Sequence, residues 1–127
     1  MKLKTILVIN AILLGLFGLI QLFTPDALAA GYGVTLDPVA KHNIQNLGAL
    51  YLGLAVLSWM ARKITDAYAL RAILLAFFIS YSITMIIGII DLSRLGSVNV
   101  AGWSTVALYL LLLLGFGYYL FVKPSAS

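Results

Sequence analysis

Four long apolar runs, separated by short polar segments, dominate the chain. Leu3 to Phe23 is broken only by Lys4, Thr5, Asn10 and Gln21, and Ile44 to Ala61, Ala69 to Leu92 and Gly102 to Val122 follow. A helix needs ~20 residues, with about 17–25 accepted, to cross a ~30 Å hydrocarbon core. Each run fits that window. Membrane-spanning strands are ~9–11 residues long and alternate in polarity, unlike the unbroken Leu110–Leu114. The pattern predicts an all-α integral membrane protein. Its four helices, at about 3–23, 40–61, 69–92 and 102–122, form an antiparallel up-down bundle and one transmembrane domain over residues 1–127.

The connections refine this. Thr24-Pro25-Asp26 reads as an N-cap, a proline at the first helical position and an acid in the first turn. It predicts a short interfacial helix over 25–30 in the first outer loop, ended by Gly31 or Gly33. Asp37-Pro38 is a second start of the same kind, so the second long helix is expected to begin near Pro38. Arg62–Tyr68 and Leu95–Ala101, the latter with Gly96, Ser97 and Asn99, are tight returns.

Composition agrees, with 63% of residues hydrophobic and 9% charged. Soluble domains average ~45–50% apolar, glycine included, and about 25% charged, and disorder needs the opposite bias. Lys2, Lys4, Arg62, Lys63, Arg71 and Lys123 fall on one side of the expected topology, and only Lys41 and Arg94 on the other. By the positive-inside rule the chain lies in the cell inner (plasma) membrane with both termini cytoplasmic. The net charge of +4 then reflects topology, and no nucleic-acid partner is inferred. Lys2 and Lys4, an apolar run and Ala27-Leu28-Ala29 imitate a secretory signal. The run exceeds the usual ~7–15-residue signal core, so it is expected to stay uncleaved.

The chemistry available is sparse. The chain has no cysteine, one histidine (His42) and four aspartates as its only acids. Thiolate chemistry is excluded, and neither a zinc site nor a bis-histidine haem can be assembled from one chain. No metal, cofactor or enzymatic activity is expected.

Inside lipid the informative residues are small or polar. Gly18 on the first helix, Ala49 and Gly53 on the second, and Ser80, Thr84 and Gly88 on the third mark a helix-packing seam. Gln21, His42, Gln45, Asn46, Asp91 and Arg94 concentrate toward the outer end and form a candidate polar pocket. Ionisable groups at membrane depth are costly and turn to a cavity or to one another. The same residues also fit a plain headgroup-layer position, and Asp91 and Arg94 at i, i+3 fit a local ion pair. His42 reads as an interfacial residue, as a proton sensor or as an axial metal ligand.

Phe23-Thr24-Pro25-Asp26 after a basic N-terminus, and a Gly/Ala-rich second helix from Asn46-Leu47-Gly48-Ala49 to Trp59-Met60-Ala61-Arg62-Lys63, give a layout that resembles the small bacterial four-helix membrane proteins grouped as DoxX-like. The resemblance covers nearly the whole chain and implies the fold far more than an activity. Small multidrug exporters share the size, but the glutamate of their first helix has no counterpart here. Two functions are expected from the sequence. One is a non-enzymatic accessory or structural subunit, associating with other membrane subunits or with itself. The alternative is a small transporter or a lipid- or cofactor-binding protein that uses the outward-facing polar pocket.

Overall fold

Three of the helices begin at a proline or just after an aspartate. The computed structural model describes residues 2–94 and 100–122. It contains α1 (Leu3–Phe23), α2 (Pro25–Gly31), α3 (Pro38–Ala61), α4 (Ala67–Arg94), α5 (Val100–Gly117) and a π-helical segment (Tyr118–Val122). No strand occurs among the described residues. Four helices are long and apolar enough to cross a membrane: α1, α3, α4, and α5 together with the π segment. Gly96, Ser97, Asn99 and Lys123, used above for the last return and the charge count, lie outside the described residues.

The two expected starts differ in how they work. Asp37 is a true N-cap, its Oδ1 accepting the Ala40 N–H at 2.7 Å, and α3 follows with Pro38 in its first turn. Thr24 precedes α2, but its side chain makes no capping bond. Its hydroxyl instead donates back to the Ile20 carbonyl at 3.0 Å, which also accepts the Thr24 N–H at 2.8 Å at the end of α1. The short helix closes with Tyr32, Gly33 and Val34 N–H groups on the Ala29 and Ala30 carbonyls. Gly33 then takes the left-handed conformation, at φ 73°, that glycine adopts without cost. Asp66 opens α4 by accepting from the Tyr68 and Ala69 N–H groups. The fourth span was expected as one α-helix to 122, yet its last five residues wind as a π-helix. There Arg71 donates to the Leu120 carbonyl at 3.0 Å, meeting an acceptor of the kind helix ends leave open.

The chain divides into two compact units. The first spans Leu7–Arg62; the second comprises the described residues of Met1–Ile6 and Lys63–Ser127.

In the first unit α1 and α3 meet through glycine. A Cβ at Gly48 would stand 2.8 Å from the Gly18 carbonyl oxygen, and one at Gly18 would stand 2.9 Å from the Gly48 oxygen. Only the absence of side chains lets the two backbones approach so closely. Farther along, Gly15 faces Ala55, and the buried Asn10 amide donates to Ser58 Oγ at 3.1 Å. Ser58 Oγ donates in turn to the Leu7 carbonyl at 2.8 Å. Position numbers fall along α1 as they rise along α3. Lys41 and Asp26 tie α3 to α2 through an ion pair of 3.0 Å.

The second unit is held by rings. Leu70, Leu74, Phe77 and Tyr81 form the buried face of α4, at helical spacing. Phe77 stacks on Phe116 with centroids 5.5 Å apart, Tyr81 meets Tyr109 at 5.4 Å, and Phe78 meets Phe121 edge-on at 5.4 Å. Phe116 is wholly buried. Offset and edge-on pairs of this kind add about 0.5–1.5 kcal/mol each beyond the area they bury.

Candidate functional site

The residues expected to line a polar pocket divide between the units. Gln21, His42, Gln45 and Asn46 belong to the first, Asp91 and Arg94 to the second.

Gln21 is the most buried of them, at 9% exposure. It lies one helical turn beyond Gly18, where its Cβ would be 3.0 Å from a Cβ on Gly48. Its Oε1 is buried with no hydrogen-bond partner among the described residues. Gln45, half-buried on α3, donates from Nε2 to the Leu22 carbonyl at 3.3 Å, an acceptor of the kind left open at the end of α1. His42 and Asn46 are exposed one turn apart, and Asn46 Nδ2 donates to His42 Nε2 at 3.2 Å. Asp91 and Arg94 are both exposed in the last turns of α4. They form no ion pair with each other; the pair found among the described residues is Lys41–Asp26. An acid near a helix C-terminus opposes the macrodipole, so Asp91 gains nothing from its own helix either.

Among the positions read as a seam, Gly18 is buried at the α1–α3 crossing, and Gly88 is half-buried, with Val106 Cγ2 3.3 Å from where its Cβ would be. Ala49, Gly53, Ser80 and Thr84 are exposed, and a Cβ at Gly53 would meet nothing within 4 Å. The close approach on α3 is made by Gly48, beside Ala49. Gly48, Ala55 and Ser58 recur at i, i+7 and i+10, a stripe of small residues as regular as the one at Ala49 and Gly53. That spacing was the available signal. On α4 two hydroxyls are satisfied within the helix, Thr84 donating to the Ser80 carbonyl at 2.7 Å and Ser82 to the Phe78 carbonyl at 2.7 Å.

Among the described residues no three His, Cys, Asp or Glu side chains stand together so as to hold a metal ion. No protein-family model, curated protein or solved structure matches the chain.

The arrangement around Gln21 has one direct consequence. A buried acceptor without a donor costs about 1–3 kcal/mol. Gln21→Met keeps the volume and removes the polar group, and is expected to raise stability by about 1 kcal/mol in a detergent unfolding titration. A loss of stability of that size would mean that the amide has a partner in the folded protein.

Proposed function

We propose that the chain is a multi-pass protein of the cell inner (plasma) membrane, an antiparallel four-helix bundle with cytoplasmic termini. It acts as a non-enzymatic accessory or structural subunit, bound to other membrane subunits or to further copies of itself. The observation that carries this reading is the exposed stripe His42, Asn46, Ala49 and Gly53 on α3, with open space above Gly53. Small and amide side chains on a helix face allow close packing and interhelical hydrogen bonds in lipid. The opposed run of contacts between α1 and α3 supports the antiparallel order, and the DoxX-like layout supports a bundle.

Gln21 favours a second reading, a lipid- or cofactor-binding pocket at the outer end. Its buried, unpartnered Oε1 suits a hydroxyl or amine donor on a bound molecule.

Because the chain has no cysteine, single introduced thiols report cleanly. Gly53→Cys is expected to cross-link in native membranes to a second copy or to another subunit, while Ile12→Cys, exposed on α1, is not. Thr35→Cys and Lys63→Cys should label from the outside and the inside respectively. A Gly53→Cys protein that stays monomeric overturns the subunit reading. A small molecule that co-purifies with the parent and is lost in Gln21→Met establishes the pocket.

A further inference from the structure

The second unit is electrically lopsided. Ile6 lies against Gly115, with Ile6 Cδ1 3.3 Å from where a Cβ would stand, and Arg71 reaches the Leu120 carbonyl at 3.0 Å. These two contacts bring the first turns of α1, the first turns of α4 and the far end of α5 to one end of the unit. Lys2, Lys4, Lys63 and Arg71 are all exposed at that end. Asp66 is the acid nearest them in the chain; its Oδ1 accepts the Tyr68 and Ala69 N–H groups, and its single charge stands against four cations. None of the three lysines is in an ion pair among the described residues. At the other end of the unit α4 carries Asp91 and Arg94, whose charges cancel.

We propose that the end of the second unit bearing Lys2, Lys4, Lys63 and Arg71 binds the headgroups of anionic phospholipids. The inference rests on the membrane reading above but not on the subunit role. Three physical terms favour this occupant over a soluble polyanion. The cations stand at the ends of long apolar helices, which is headgroup level for a spanning helix. Lysine stems run along apolar surface while their ammonium groups reach the interface. The N-termini of α1 and α4 lie there too, and the positive ends of the two helix dipoles favour an anion. A zwitterionic headgroup gains little from this end, because it carries no net charge. Each lysine near an anionic surface contributes about fivefold in affinity, and the effect weakens as salt shortens the ~10 Å screening length.

The test uses the full chain reconstituted in vesicles of equal phosphatidylcholine and phosphatidylglycerol. Mild detergent extraction and native mass spectrometry then count the lipids retained. The parent is expected to keep phosphatidylglycerol in preference to phosphatidylcholine, and to lose the preference in high salt. The Lys2→Gln, Lys4→Gln, Lys63→Gln triple variant should lower phosphatidylglycerol retention by about a hundredfold at the additive limit. Arg94→Gln, at the other end, should leave it unchanged. Equal retention of both lipids by the parent, an unaltered triple variant, or a loss in Arg94→Gln as large as in the triple variant overturns the proposal. A chain that never enters the vesicles overturns the membrane reading and this inference together. One that inserts but shows no headgroup preference overturns this inference alone.

Discussion

Gly48→Ala is expected to lower the stability of the detergent-solubilised protein by about 2–3 kcal/mol, the upper range for overpacking. The added methyl would stand 2.8 Å from the Gly18 carbonyl oxygen, 2.9 Å from the Leu22 nitrogen and 3.0 Å from Gln21 Cβ. Two of those three atoms are backbone, so no rotamer change relieves the contact; α1 and α3 must move apart. Separation also pulls Leu22 away from Gln45 and Leu7 away from Ser58, loosening the 3.3 Å and 2.8 Å hydrogen bonds on either side of the crossing. Helix propensity works the other way, since alanine is favoured over glycine by about 0.8–1.0 kcal/mol in a helix interior. Gly53→Ala isolates that opposing term: it lies on the same helix and its methyl meets nothing within 4 Å. The second variant should therefore gain up to about 1 kcal/mol where the first loses. Equal unfolding midpoints for Gly48→Ala and Gly53→Ala would remove the crossing as the pin of the first unit.

The hydrophobic pattern and the proline–aspartate pairs made the helices legible. Pro25 and Pro38 stand at the starts of α2 and α3, as their fixed φ and missing N–H require. Less legible was the side of each long helix that packs. In a soluble helix, polarity marks the outer face. In an apolar chain both faces are greasy, and only small residues distinguish them. On α3 two stripes of small residues lie on different faces, Gly48–Ala55–Ser58 and Ala49–Gly53, their centres roughly 150° apart about the helix axis. Nothing in either stripe alone says which one meets α1; the partner glycine at Gly18 decides it.

On α4 the difficulty was of another kind. Ser80 and Thr84 look like interhelical glue, yet a hydroxyl can return its proton to a carbonyl of its own helix, as Thr84 does to Ser80. A serine or threonine satisfied in that way tolerates an outward position. The contact face is then taken by the larger rings of Phe77 and Tyr81, which gain more from packing against Phe116 than a hydroxyl would. Amides behave differently. Away from solvent, asparagine and glutamine have too many donors and acceptors to satisfy on one helix turn, so they reach across. Asn10 finds Ser58 and Gln45 finds Leu22, while Gln21 Oε1 finds nothing among the described residues. The candidate site rests on that last mismatch, which a sequence cannot display because it depends on where α3 crosses.

The Asn10–Ser58 pair supplies the second large effect. Both residues are 0% exposed, and together they join α1 to α3 through two hydrogen bonds in series. Ser58→Ala removes the acceptor of the Asn10 amide and the donor to the Leu7 carbonyl in one step, and is expected to cost about 1–2 kcal/mol. Asn10→Ala leaves the Ser58–Leu7 bond in place but opens a small void, so a similar loss is expected for a different reason. The two variants share one contact, and the double variant should fall short of the summed losses by at least about 0.5 kcal/mol. Strict additivity in unfolding titrations would show that the amide and the hydroxyl are not coupled. Asn10→Leu combined with Ser58→Ala is the more telling variant. With both partners apolar neither end of the Asn10–Ser58 bond is stranded, and most of the stability lost with that bond should return. If that restored protein still cross-links through Gly53→Cys, the buried pair serves only to hold α1 on α3. If it does not, the polar pair also sets the presentation of the exposed Asn46–Ala49–Gly53 face, and the interior of the first unit takes part in choosing its neighbour.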